Sequence, residues 1–442
     1  MRFSVLLALL LAPAAVATLR AAVVGTIPPA QSLTAERVAL LPVADQAQWL
    51  DYLARSERQR LADHAAVAAD LKKSGRTTLI IPPEGRGGMP LNRPDAWYAS
   101  TEALRTADAI VSYQMPNGGW GKNLNMHDHV RQPGESYIGN NLSHYLAPGD
   151  YDTPHDPYWN YFGTLDNNAT TTQLRFLAKV INAAGPDRTQ DYRAAFLKGV
   201  DYLCAAQYPN GGWPQVWPLE GGYHDAITFN DDAVTQAIEV LQGVADASGI
   251  YAFTTSEVQR RARPHAEKGY ACIVATQIKS HGRLTVWCQQ HDALTLLPAS
   301  ARNFEPPVQC GDESANIVSF LMTDPAPKPE IIAAVHAAAA WFKKTAIYGQ
   351  KWNRPRGNRG AARDAPDEAR LGLVPAPGAG PIWARYYEIG TDRPVFGDRD
   401  KTLHDRVEEL SLERQRGYNW FNNGPKQMLA QYASWSIAYP AP

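Results

Sequence analysis

The chain nearly repeats itself, and the repeat restricts what it can fold into. Gln114-Met-Pro-Asn-Gly-Gly-Trp120 recurs as Gln207-Tyr-Pro-Asn-Gly-Gly-Trp213, and a weaker third copy runs from Gln277 to Trp287. The copies follow segments with helical periodicity: Trp97, Leu104 and Val111 before the first, Tyr192, Phe196, Val200 and Leu203 before the second. Gly-Gly lets the chain leave a helix through positive φ, and Trp packs across the hairpin. A second echo sets Thr164-Leu-Asp-Asn-Asn-Ala-Thr-Thr171 against Thr228-Phe-Asn-Asp-Asp-Ala-Val-Thr235. It opens partner helices marked by Leu174, Leu177 and Ile181 and by Val234, Ile238 and Leu241. Repeated helix pairs predict an all-α chain, with helical hairpins stacked into an (α/α) toroid.

Three regions are expected. Residues 1–21 read as a signal peptide: Arg2, an apolar run from Val5 to Leu11, and a small-residue zone with cleavage after Ala17 or Ala21. Pro13 and Arg20 make that run too short for a membrane anchor, and no later segment is long and apolar enough to span a bilayer. Residues 22–91 read as a small N-terminal helical extension, with a helix through Gln46–Leu71 and then a Pro/Gly loop. Residues 92–442 make the toroid, with later helices expected at Pro329–Tyr348 and Leu403–Tyr418. The long connections 123–163 and 350–400 are of the size that usually carries function.

A net charge of −1 provides no bulk field for nucleic acid or a membrane, and neither is expected as a partner. Attraction for a polyanion has to come from local clusters. Export permits disulfides, but the spacing of Cys204, Cys272, Cys288 and Cys310 leaves all three full pairings open and fits no zinc motif.

The polar residues of the repeats are the site candidates. Asp166-Asn167-Asn168 and Asn230-Asp231-Asp232 stand where helices begin. One such residue suffices to cap a helix, whereas carboxylates and amides clustered three in a row suit a hard cation or a sugar. The flanks of the Gly-Gly-Trp copies differ, Gly121-Lys122-Asn123 against Pro214-Gln215, which singles out Lys122 for a ligand. Arg302, Arg385 and Arg399 each lie among aromatic and acidic residues; with Lys122 they suit carboxylate binding. His127, His129, His144 and His155 share one loop without metal-ligand spacing and read as surface or substrate-flanking groups. No Gly-x-Ser-x-Gly supports a serine nucleophile.

Taken in order, Asn117-Gly-Gly-Trp-Gly-Lys-Asn123, Thr164-Leu-Asp-Asn-Asn-Ala-Thr170, Tyr208-Pro-Asn-Gly-Gly-Trp-Pro-Gln215, Ile227-Thr-Phe-Asn-Asp-Asp-Ala233, Val286-Trp-Cys-Gln-Gln-His-Asp292, Trp383-Ala-Arg-Tyr-Tyr-Glu388 and Phe396-Gly-Asp-Arg-Asp400 resemble polysaccharide lyase family 10, the helical-toroid pectate lyases. The resemblance spans about residues 30 to 438. It implies a secreted or periplasmic monomer that cleaves de-esterified polygalacturonate by Ca2+-assisted anti β-elimination, leaving 4,5-unsaturated oligogalacturonides. Arg302 would be the base. Asp166 and Asp231, with Asp232 the alternative to Asp231, would hold Ca2+. Arg385 would clamp a substrate carboxylate, with Lys122, Asn167 and Arg399 as further substrate contacts. Arginine ordinarily keeps its proton to about pH 12.5 or above, so an alkaline optimum is expected. The Pro306-Pro-Val-Gln-Cys-Gly311 stretch is less typical of the family. The residues alone also allow an inverting glycoside hydrolase of an acidic polysaccharide, or a non-catalytic pectin-binding protein.

Overall fold

The computed structural model describes residues 23–85, 88–154, 156, 159–353 and 372–441. The signal-peptide reading of residues 1–21 and the loop residue His155 lie outside them. Eleven α-helices are present among the described residues: α1 (Ala35–Val38), α2 (Val43–Lys73), α3 (Thr101–Ser112), α4 (Thr171–Ala184), α5 (Gln190–Ala206), α6 (Ala233–Ala245), α7 (Ser256–Thr276), α8 (Gly311–Leu321), α9 (Pro329–Thr345), α10 (Leu412–Gly417) and α11 (Gly424–Ala438). α4 packs on α5, α6 on α7 and α8 on α9, while α11 lies against α8 and α9.

The repeated motif explains how one pair is joined to the next. Gln114 Nε2 donates to the Gly118 carbonyl of its own turn at 2.9 Å and to the Ala195 carbonyl of α5 at 2.8 Å. Gln207 does the same with Gly211 and with His265 of α7. Gln277 repeats it with Thr285 and with Ala334 of α9. The indoles follow suit: Trp120, Trp213 and Trp287 donate back to Ile110, Leu203 and Ile273. A fourth indole, Trp383, donates to Phe342 of α9 at 2.8 Å and extends the series without the Gly-Gly-Trp motif. The glycines are required twice over. Gly118 and Gly211 have φ of 98° and 93°, and a Cβ there would lie 2.4 Å and 2.1 Å from the carbonyl oxygens of Lys198 and Lys268.

α2 buries Trp49, Tyr52, Ser56, Asp63 and Val67, the stripe of one helix face. It docks through Tyr52 Oη to the Ala206 carbonyl at 2.9 Å and through Asn117 Nδ2 to Asp63 at 2.9 Å.

An all-α description omits a layer of short strands in the connections. Residues Ile227–Thr228, Gln290–His291 and Pro298–Ala299 form one small antiparallel sheet, and Gln309–Cys310 pairs with Tyr386–Tyr387. Strands of two residues are too short to show a period-2 pattern in sequence. The helix expected at Leu403–Tyr418 is mostly absent. Thr402–His404 is instead a strand between Val23–Thr26 and Phe396–Gly397, and only α10 is α-helical. Asp398 captures the Ser411 amide and hydroxyl just before α10, so pairing and a side-chain bond override the local apolar spacing. All four cysteines are free thiols.

Candidate active site

The Asp/Asn motifs do not cap helices through their side chains, although Asp232 stands at the N-cap of α6. Asp166, Asp231 and Asp232 make no side-chain cap bond to α4 or α6. Instead each motif is a left-handed turn, with φ of 51° and 61° at Asn167 and Asn168 and 53° and 60° at Asp231 and Asp232. Such backbone is costly outside glycine, least so for Asn and Asp, and points to a purpose beyond ending a loop. The two turns lean on each other: the Asn167 amide donates to Asp231 Oδ2 at 3.1 Å.

Asp166 lies at the centre. Lys122 Nζ donates to its Oδ2 at 2.5 Å and Gln215 Nε2 to its Oδ1 at 2.7 Å. Both partners come from the divergent flanks of the Gly-Gly-Trp copies. Burial opposes ionisation of Asp166, yet Lys122 holds its carboxyl below the usual range. Asp231 has the reverse balance: burial, then the charge of Asp166, push it up to about 6. Two carboxyls held together against their repulsion are a donor set that a hard cation relieves. Among the described residues no group of three or more His, Cys, Asp or Glu could hold a metal, so Asp166 and Asp231 would supply only part of a Ca2+ shell, with substrate and water oxygens completing it.

The remaining predicted residues divide. Asp232 points away, lining a separate cavity of about 520 Å³ with Arg175, Gln236 and Asn316. Asn167 Nδ2 reaches Asn123 at 3.1 Å and stays exposed. Arg302 belongs to the site: its charge helps keep Asp166 and Asp152 ionised. Arg385 joins it through Tyr418, whose ring lies 4.7 Å from the guanidinium and whose hydroxyl donates to Glu305 at 2.8 Å. Arg399 is bound to Glu413 at 2.8 Å and reaches Arg302 only across the Phe304 ring, which both guanidiniums face. His129, partly buried, pairs with Glu135 at 2.9 Å and lies beside the Tyr113 ring.

Sequence reading missed the partners of these cations. Glu305 binds Arg302 side-on, Glu313 and Asp312 bind Arg385, and the Tyr161 ring lies 3.2 Å from Lys122 Nζ. Tyr161 continues through Tyr223 at 3.1 Å to Asp152 at 2.5 Å. Burial pushes Glu313 up to about 7, whereas Arg302 pulls the buried Glu305 down to about 2. Glu305 was in view beside Arg302. Tyr161, Tyr223 and Asp152 carry no motif and converge only in three dimensions.

The family model described as pectic acid lyase matches residues 114–429, a span that contains every group named at this site. The chain belongs to the pectic acid lyase family. It is a polysaccharide lyase of the pectate lyase type. Two solved structures support the placement. A family 10 polysaccharide lyase from Cellvibrio cellulosa is 31% identical over 78% of this chain and 97% of that one, with a TM-score of 0.62. An Asp-to-Ala mutant of a family 10 polysaccharide lyase from Cellvibrio cellulosa, in complex with trigalacturonic acid, is 30% identical over 79% and 97%, also with a TM-score of 0.62. No curated protein matches the chain.

Proposed function

We propose that this pectate lyase cleaves de-esterified polygalacturonate by Ca2+-assisted anti β-elimination with Arg302 as the base, and that it is exported and acts as a monomer. The helix pairs, linked by the repeated Gln and Trp bonds, would close into an (α/α) toroid. The observation that carries the reading is the meeting of the Asp166 and Asp231 turns, with Lys122 bound to Asp166 and the Arg302 charge acting on it.

The C5 proton lies α to the uronate carboxylate. Removing it sends the C–H electron pair into a C4=C5 bond as the C4–O4 pair leaves with oxygen. Negative charge gathers on the carboxylate, and fixed positive groups favour that state. Ca2+ held by Asp166 and Asp231 would supply such charge. Lys122 orients Asp166 and brings a buried ammonium beside it. Arg302 uses Nε and Nη2 on Glu305, leaving Nη1 outside that pair, and its side chain is 38% exposed, open to substrate. Arg385 can share its guanidinium between Glu313 and a substrate carboxylate.

The hydrolase alternative is disfavoured by the same pair. An inverting hydrolase spaces its acid and base by roughly 6.5–9.5 Å to admit water, whereas the Asp166 carboxyl lies within hydrogen-bonding reach of Asp231, which also accepts the Asn167 N–H. Product analysis decides: unsaturated ends support elimination, and saturated reducing ends alone would refute it.

A further inference from the structure

Behind the Lys122–Asp166 pair lies a second, partly buried acid that the elimination does not use. Glu220 Oε1 accepts the backbone N–H of Tyr161 at 2.7 Å and that of Phe162 at 3.3 Å. Tyr161 is in the left-handed region at φ 65°, a conformation costly for an aromatic residue, so something has to hold it there. The result of that backbone geometry is the Tyr161 ring 3.2 Å from Lys122 Nζ and its hydroxyl 3.1 Å from Tyr223. Glu220 is itself fixed. Its turn is pinned by Asp225, which accepts the Gly221 N–H at 2.8 Å and the Leu33 N–H at 2.9 Å.

We infer that Glu220 is a positioning residue for the lyase reaction: its carboxylate holds Tyr161 in the strained conformation that sets Lys122 against Asp166. This inference rests on the elimination reading for its kinetic consequence, but the structural link from Glu220 to Lys122 does not. The groups facing Glu220 are His224 and Asp225 from its own turn, Asp63, His64 and Arg60 from α2, Asp156 from the preceding loop, and Lys122 from the site. Burial, with the Asp225 charge adding to it, pushes its carboxyl up to about 8, against the two backbone bonds and the Lys122 charge, which favour the anion. A cavity of about 240 Å³ lined by Arg60, Asp63 and His64 of α2 and by Trp159 reaches Glu220, a route for the proton. As pH rises through about 8 the carboxyl ionises, both backbone bonds become charge-assisted, and the Tyr161 ring is held more firmly.

Two variants test this. Glu220→Gln keeps an acceptor for the Tyr161 amide and loses the titration; Glu220→Ala loses both. The expected result is a fall in kcat of about tenfold or more for Glu220→Ala with KM changed little, largely restored in Glu220→Gln. The Glu220→Gln rate profile should also lack a rise near pH 8 that the unsubstituted enzyme shows. Equal kcat, KM and pH profile in all three proteins would overturn the proposal. So would a Glu220→Gln protein as impaired as Glu220→Ala with the rise intact. Near-ultraviolet circular dichroism separates this from failure of the elimination reading. If the unsubstituted protein makes no unsaturated product, Glu220→Ala and Tyr161→Phe should still show the same loss of tyrosine signal, and an unchanged Glu220→Ala spectrum would sink the positioning role by itself.

Discussion

Arg302 and Glu305 meet side-on, Nε to Oε2 at 2.9 Å and Nη2 to Oε1 at 2.5 Å, three residues apart in one turn. The pair fixes the guanidinium in place and also tightens its hold on its proton. Desolvation works to lower the Arg302 pKa, but the Glu305 charge and its hydrogen bonds raise it well above the ordinary arginine value. A base would have to lose that proton first, so the turn that orients Arg302 would also oppose its proposed action.

The pH dependence of turnover should show this opposition. Activity is expected to climb into the alkaline range, and Glu305→Gln, which removes the raising charge, should move the rising limb of kcat to lower pH. An optimum near pH 5, or a limb that ignores Glu305→Gln, would argue against Arg302 as base. Both outcomes come from one set of initial rates across pH.

Asp231 and Asp232 should part company. The Asp231 pKa is raised to about 6 by burial and by Asp166, so its folded-state stabilisation is present at low pH and is lost as pH rises through about 6. Above that, Asp231→Asn is expected to stabilise the cation-free protein by about 1–3 kcal/mol, since a shift of one unit corresponds to about 1.4 kcal/mol. Added Ca2+ should raise the melting temperature of the unsubstituted protein and not that of Asp231→Asn. Asp232→Asn, whose side chain faces the other cavity, should keep the Ca2+ response. Thermal melts with and without Ca2+ at pH 8 check all three.

Protons should compete with the cation. Below about pH 6 Asp231 takes up its proton, so the apparent Ca2+ affinity is expected to fall as pH drops through that value. Calorimetric titration at pH 5 and pH 8 reads it directly, and equal affinities would remove Asp231 from the cation site.

The repeat bonds carry stability. Gln277 is buried and serves two carbonyls, so Gln277→Ala should cost about 1–3 kcal/mol by removing both buried bonds and the tie from this turn to α9. Gly211→Ala should cost more, because it meets both positive φ and the Lys268 carbonyl. Denaturant unfolding would measure these, and a neutral Gly211→Ala would contradict the close approach.

The helical frame was legible because Gly-Gly-Trp and the 3.6-residue stripes are local signals. The third copy, from Gln277 to Trp287, was faint in sequence yet makes the same two glutamine bonds and the same indole bond. Lys122, Asp166, Asp231, Arg302 and Arg385 could be named because each lies in or beside a motif. Their counter-charges were less visible. Asp152, Tyr161, Glu220 and Tyr223 become neighbours only through the course of the long connections, and the left-handed turns that aim Asp231 and Asp232 in different directions have no signature beyond their Asn and Asp content.

The most direct test is the ultraviolet absorbance of polygalacturonate mixed with the protein at alkaline pH, in Ca2+ and then in chelator, for the unsubstituted enzyme and Arg302→Ala. The account predicts a Ca2+-dependent rise from 4,5-unsaturated product that chelator stops and Arg302→Ala lowers by about 100-fold or more. Reducing ends without that absorbance, or an Arg302→Ala protein as active as its parent, would contradict it.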